Sequence, residues 1–343
     1  MGIRGMFEAY SGGAWMANRG VCGSIAYWGG GHAAYFGNQI LELDMCAANG
    51  PLWKRTTEPY KPAAGEAFFP RLPCGEYPNR SPAVPHTLGT LAGGGNVLVA
   101  VSAAAHETEQ VNGITYRAPC AWAYDFTAGS WRGPWPHSGA TQGSAAYDAL
   151  RKLVWYEASS GFPGKFSSLD PVTGTITEYN KSSNVMQHRL GAMAGYDPIA
   201  DRVVTMSFRG GGTSTYISER DPANPSAQGI TAKMVDKPAA LSGSHAMSWS
   251  PSRQAWIVWF GAVPLDSAAV WEVKRSISEG VLTYKWTALL SASNTMVPVS
   301  APNNGPFGKA QVVVLPDGTE LLVGIVILAD GVVAFKLSGP TAK

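Results

Sequence analysis

The chain has 343 residues, of which only 15% are charged, and it contains 40 glycines and 24 prolines. Average proteins carry about 25% charged residues, so this composition favours a turn-rich, largely apolar β protein. The net charge of +2 comes from interspersed charges rather than a basic stripe, which argues against nucleic-acid binding.

The longest apolar run, residues 321–335, is interrupted by Gly324, Asp330 and Gly331 and is shorter than the roughly 20 residues of a spanning helix. We therefore expect no membrane insertion. The start, MGIRGMFEAYSGG, lacks the apolar core of a secretory signal, which favours synthesis for the cytoplasm over a trimmed leader.

The four cysteines show no CxxC spacing and are few for a disulfide framework in a chain of this length. They are Cys22, Cys46, Cys74 and Cys120. Since free cysteine is among the most buried residue types, we expect four buried thiols.

One pattern recurs along the chain: an apolar stretch, a short polar turn and a second apolar stretch, which is typical of a β-hairpin. It occurs six times, as AWMANRGVCGSIAYW, LGTLAGGGNVLVAVS, SAAYDALRKLVWYE, GAMAGYDPIADRVVTMSF, AMSWSPSRQAWIVWF and QVVVLPDGTELLVGIVI. A second, more polar hairpin follows each of the first five copies. The sixth unit ends after a third strand, GVVAFKLSGPTAK, and we expect residues 1–7 to supply its fourth.

Six four-stranded units, the last completed from both chain ends, predict an all-β, six-bladed β-propeller in one domain. The expected blades are 8–59, 84–137, 138–183, 186–238, 242–293 and 305–343 plus 1–7, with 60–83 as a long inserted loop. The alternative is seven blades with hidden strands in residues 60–85, but the prolines there disfavour strands.

Several residues resemble kelch-type propellers, including the central domain of galactose oxidase. These carry a double glycine after the second strand, then an aromatic residue, then a tryptophan in the fourth strand. Gly29, Gly30, Tyr35 and Trp53 follow that order, and Trp131 and Trp286 hold the tryptophan position in two other units. The stretch GGGHAAYFGNQILELD also resembles GGGHxxYxGNxxYxxDL of kelch-like proteins frequent in bacteriophage and prophage genomes. The resemblance implies the fold and a phage setting.

In a propeller, the loops between strands 2 and 3 and the links between blades lie on one face. Five histidines fall in such loops, and His245 begins a first strand, so we call this the histidine face. The candidate binding residues are His32, Tyr35, Asn38, His86, His106, His137, His188 and His245. We predict no catalytic residue, metal or cofactor, because histidines of non-adjacent blades rarely converge on zinc and commonly bond loop carbonyls instead. Glu157, beside this face, is expected to be solvated.

Two functional hypotheses remain. In the first, the protein is a non-enzymatic binding or assembly module of a phage virion, in the tail or head-tail region and made in the host cytoplasm. Its partners are other virion proteins, copies of itself and, as a further candidate, a host surface glycan. In the second, it is a carbohydrate-active or oxidising enzyme of the kelch-like class, located in the bacterial cytoplasm or exported. Low charge, the missing secretion signal and the phage-like stretch favour the first.

Overall fold

The computed structural model describes residues 11–30, 37–61, 63, 74, 76–83, 87, 89–101, 110–111, 114–115, 120–137, 143–157, 166–179, 192–208, 215–239, 241, 245–260, 268–291, 308–325 and 332–338. Within these ranges the regular structure consists of strands, and no helix there could span a membrane.

The first three blades are four-stranded antiparallel sheets. Blade 1 contains β1 (Gly12–Met16), β2 (Ser24–Trp28), β3 (Leu41–Asp44) and β4 (Leu52–Arg55). Blade 2 contains β5 (Leu91–Gly94), β6 (Val97–Ala100), β9 (Cys120–Asp125) and β10 (Ser130–Pro136), with a small hairpin of β7 (Gln110–Val111) and β8 (Ile114–Thr115) between its second and third strands. Blade 3 contains β11 (Ser144–Asp148), β12 (Leu153–Glu157), β13 (Phe166–Leu169) and β14 (Ile176–Glu178).

The other three blades repeat this order with variations. Blade 4 contains β15 (Met193–Asp197), β16 (Arg202–Ser207), β17 (Tyr216–Arg220) and β18 (Ile230–Thr231). Blade 5 contains β20 (His245–Ser250), β21 (Ala255–Phe260), β22 (Ala268–Ser278) and β23 (Val281–Ser291), and β19 (Lys233–Val235) pairs in parallel with β23 at its outer edge. Blade 6 has three described strands, β24 (Ala310–Val314), β25 (Glu320–Gly324) and β26 (Val333–Ser338).

The prediction of an all-β, six-bladed propeller is confirmed. The innermost strands β1, β5, β11, β15, β20 and β24 contact one another in that order around a ring, and β24 returns to β1. The predicted fourth strand of blade 6, residues 1–7, lies outside the described residues.

The inner strands are nearly continuous apolar runs because both faces of each blade are buried. Successive side chains point to opposite faces of a sheet, and both faces of each blade are covered by neighbouring blades. In β2, Ile25 and Tyr27 pack against blade 6, whereas Ala26 and Trp28 pack against blade 2. The six apolar clusters of the described core correspond to the six seams between blades.

The seam between blades 6 and 1 closes the ring without a shared strand among the described residues. Ile25 and Leu43 of blade 1 pack with Val313 and Val323 of blade 6. The buried hydroxyl of Tyr27 donates a hydrogen bond to the Lys309 carbonyl at 3.1 Å. Apolar contact and this hydrogen bond therefore join the first and last blades.

The cysteines form two disulfides, so the expectation of four free thiols is wrong. Cys22 pairs with Cys46 across 24 positions, and Cys74 pairs with Cys120 across 46, with Cα–Cα distances of 5.8 and 5.4 Å. The physical reason is strand register. Ser24 pairs with Asp44 at the end of the β2–β3 ladder, and each cysteine of the first pair lies two residues beyond.

The glycines after β2 permit a backbone turn, as expected from the sequence. Gly29 has a φ of 110°, which side-chain-bearing residues rarely adopt. A Cβ there would overlap the Thr87 side chain. That side chain accepts a hydrogen bond from the Gly12 amide and donates one to the Trp28 carbonyl, tying the link into blade 2 to blade 1.

Candidate binding site at the centre of the turn face

Most of the histidine face lies outside the described residues, including His32, Tyr35, His86, His106 and His188. Asn38, His137 and His245 are described. Asn38 is buried; its amide donates to Ser81 Oγ and the Pro82 carbonyl, and its oxygen accepts from the Tyr60 amide. Asn38 therefore fastens both ends of the long insertion to blade 1.

The two described histidines lie in packed surroundings. His137 Nε2 is 2.7 Å from the Val101 carbonyl, and burial lowers the pKa of this imidazole below its usual value. The His245 ring is fully buried, with its centroid 4.6 Å from that of Phe208 and 6.1 Å from that of Phe260. Both rings contribute to packing, and the structure does not bring them together.

Glu157 is also buried, so the expectation that it is solvated is wrong. It ends β12, and its Oε1 accepts a 2.8 Å hydrogen bond from Arg220 Nε of blade 4. The carboxylate is thus part of an ion pair across the seam between blades 3 and 4. No group of three His, Cys, Asp or Glu residues within the described ranges could hold a metal ion.

The opposite face carries the turns between strands 1 and 2 of all six blades and between strands 3 and 4 of blades 1 to 5, and we call it the turn face. A central cavity of about 340 Å³ is lined by residues of all six innermost strands and reaches the ends of those strands at this face. Four blades place an aromatic residue one position before the strand end. These residues are Trp15, Tyr147, Tyr196 and Trp249, all half-buried.

Neighbouring blades set the positions of these rings. Gly94 occupies the same region of blade 2, and any Cβ there would overlap the Tyr147 ring, so its lack of a side chain creates the space for this tyrosine. Trp249 packs edge-on against Trp256 with 5.1 Å between centroids. Contacts with neighbouring residues therefore hold Tyr147 and Trp249 at the opening of the cavity on the turn face, which we call the mouth.

An ion pair between blades 3 and 4 holds Tyr196. Its hydroxyl donates to Asp201 Oδ1 at 2.8 Å, and Arg151 makes two 2.7 Å hydrogen bonds to the same carboxylate. Arg151 lowers the pKa of Asp201 to about 2, so the carboxylate remains charged at neutral pH. This paired contact fixes the ring from its polar end.

The polar side chains in the cavity already bond to protein atoms. Ser248 Oγ donates to Gln311 Oε1 and accepts from the Val312 amide, while Gln311 Nε2 donates to the Gly308 carbonyl. None of the described lining residues is an acid, lysine, arginine or histidine. Burial raises the pKa of both lining tyrosines, so neither phenol is a base at neutral pH. The arrangement is suited to binding rather than to acid–base chemistry.

Exposed apolar side chains lie in the turns beside this mouth. Val21, Leu150 and Ile199, in the first turns of blades 1, 3 and 4, are 78%, 69% and 66% exposed. Val314, at the end of β24, is 38% exposed and also lines the cavity. These side chains offer apolar contacts to any partner that approaches the cavity from this side.

The arginines of these turns are neutralised by the protein itself. Arg19 bonds Glu42 at 3.1 Å and lies over the Phe126 ring, and Arg253 bonds Glu272 at 2.7 Å. Arg151 pairs with Asp201 as described. A partner at the mouth thus meets apolar groups and arginines whose charge is already compensated.

Sequence reasoning missed this site, although a signal existed. Aligning the six hairpins places the four mouth aromatics in one column, in AWM, AYD, GYD and SWS. The column by itself does not identify a site, because position in a strand does not distinguish a ring inside a seam from one at the end of the channel.

Comparisons with known proteins find similarity in the fold. No family model and no curated protein matches the chain. It is similar to the major Malassezia sympodialis allergen Mala s 1, with 11% identity and a TM-score of 0.53, covering 97% of this chain and 93% of that one. It is similar to YjhT at 11% identity and a TM-score of 0.52, covering 96% and 94%. Against TolB from Acinetobacter baumannii the identity is 14% and the TM-score 0.40, and the match spans 88% of this chain and 60% of TolB. At these identities the similarity concerns the propeller fold alone.

Proposed function

We propose that the protein is a non-enzymatic binding and assembly module of a bacteriophage virion, in the tail or head-tail region, and that it contacts its neighbours through the turn face. One observation carries this proposal: four aromatic side chains of different blades line the mouth of the cavity, and Val21, Leu150 and Ile199 are exposed in the turns beside it. Protein interfaces are enriched in aromatic residues and depleted of unpaired charge at their centre.

The disulfides and the sequence resemblance support the virion setting. Disulfides persist in oxidising surroundings, including virion surfaces, and are rare in the cytosol. Two of them in one chain favour a virion surface or an exported location over the bacterial cytoplasm. The GGGHAAYFGN stretch resembles kelch-like proteins of phage genomes, and the partners we propose are other virion proteins and further copies of this chain.

The alternative of an oxidising enzyme of the galactose oxidase type requires a cysteine that is not in a disulfide. Copper-radical chemistry of the galactose oxidase type requires a cysteine cross-linked to a tyrosine. Cys22 is bonded to Cys46 and Cys74 to Cys120, so none of the four cysteines is available for such a cross-link. This pairing favours the binding hypothesis.

Purified phage virions provide the test of the proposal. Quantitative mass spectrometry of virions should find the chain at multiple copies per particle. The variant Leu150→Asp/Ile199→Asp should be incorporated at least tenfold less, because it charges two exposed tips of the contact face, whereas Lys274→Ser, at an exposed site in β22, should be incorporated normally. A chain absent from particles that turns over a sugar as a free protein would overturn the proposal.

A further inference from the structure

We propose that the mouth of the central cavity receives an uncharged, protruding segment of a partner protein with one large aromatic side chain at its tip. This inference rests on the proposed function, because it names what the turn face takes in. Three properties lead to it: the lining of the cavity, its size and the exposed apolar side chains beside its mouth.

The lining suits an aromatic side chain better than a sugar. Trp15, Trp249, Met193 and Met247 line the cavity, and methionine sulfur packs favourably on aromatic rings. Ser248 and Gln311 already satisfy each other and the neighbouring backbone. Several sugar hydroxyls placed against methionine and alanine would lose hydrogen bonds to water without replacement, whereas a tryptophan or phenylalanine ring has at most one such bond to lose.

The lining also selects against charge. The described lining residues include no ionic partner for a buried carboxylate or ammonium group, and the arginines Arg19, Arg151 and Arg253 near the mouth already pair with carboxylates of this chain. A charged tip would therefore lose its hydration without gaining a counter-ion.

The size of the cavity and the apolar side chains around its mouth favour a chain segment over a free small molecule. A volume of about 340 Å³ lies at the lower end of the range of about 300–1,000 Å³ for ligand pockets, which fits one large side chain with its flanking backbone. The exposed apolar side chains of Val21, Leu150 and Ile199 beside the mouth give the rest of such a segment a surface to contact, which a free small molecule would leave unused.

Capped tripeptides test this inference on the intact protein by isothermal titration and saturation-transfer NMR. N-acetyl-Gly-Trp-Gly-amide should bind saturably at millimolar concentration, at least tenfold more tightly than the Glu analogue, and methyl β-glucoside should not compete. Trp249→Ala should weaken binding at least tenfold, whereas Trp53→Ala, on the outer strand β4, should not.

A second pair of variants changes exposed positions, which are expected to tolerate substitution. Val314→Arg places a charge at the mouth and should weaken binding of the Trp peptide at least tenfold, whereas Val172→Arg, on a peripheral turn of the same face, should leave it unchanged. Equal binding of the glucoside, equal binding of the Glu peptide, or Trp-peptide binding unaffected by Trp249→Ala and Val314→Arg would overturn the inference. Absence of saturable peptide binding by a chain that is found in virions would refute only the insertion, whereas peptide binding by a chain absent from virions would refute only the virion assignment.

Discussion

Removing the Cys22–Cys46 disulfide should lower the free energy of unfolding by about 3.5 kcal/mol, from the entropy of closing a loop of this length in the unfolded chain. The bond joins the first and second turns of blade 1 across 24 positions and continues the β2–β3 ladder beyond the Ser24–Asp44 pair. For Cys74–Cys120, which spans 46 positions, the same relation gives about 4 kcal/mol.

Urea unfolding followed by tryptophan fluorescence, without reductant, measures both effects. The variant Cys22→Ala/Cys46→Ala should lose slightly less stability than Cys74→Ala/Cys120→Ala, by about 0.6 kcal/mol, because doubling a loop adds about that amount. As a control, the variant that keeps only Cys22 and Cys46 should lose its remaining disulfide stabilisation when reductant is added.

Two results would refute this reasoning. Thiol alkylation of the denatured, unreduced wild-type protein should label no cysteine, and labelling of four would show that the bonds do not form. A loss below about 1 kcal/mol in the Cys22→Ala/Cys46→Ala variant would show that the closed loop does not constrain the unfolded chain as the entropy model requires.

Three further outcomes are expected. Gly94→Val should destabilise the protein by about 1–3 kcal/mol in urea unfolding, because its side chain overlaps Tyr147, and adding Tyr147→Ala should recover part of the loss; a loss unchanged in the double variant contradicts the overlap. Glu219→Gln should cost about 3 kcal/mol, because the carboxylate accepts hydrogen bonds from Arg275 and Tyr284, and an unchanged urea midpoint would refute this. Burial lowers the pKa of Lys309 to about 7 from 10.5, so the unfolded chain binds more protons between these values and stability should rise with pH there, by at most about 1.4 kcal/mol per unit. Lys309→Met should flatten that rise, and an identical pH profile in the variant would exclude the assignment.

The fold was accessible from sequence because each hairpin carries its own local signals. In Tyr147–Asp148 and Tyr196–Asp197 an apolar strand ends at an aspartate whose side chain accepts hydrogen bonds from the turn amides that follow, such as those of Leu150 and Ile199. Such turns depend on residues close in the chain, and six repeats of one pattern leave few arrangements other than a closed ring.

The binding site and the cysteine pairing required the tertiary structure. Whether Cys22 meets Cys46 depends on the register between β2 and β3, and a shift of one residue would turn each side chain to the other face. Likewise, Tyr147 reaches the cavity because Gly94 of the preceding blade leaves space, a contact between residues 53 positions apart. Sequence by itself determined the strands, the turns and the number of blades, since these follow from local hydrogen bonding and alternation. Only the packing of one blade against the next decided which aromatic rings line the central cavity, because that outcome depends on space contributed by a neighbouring blade.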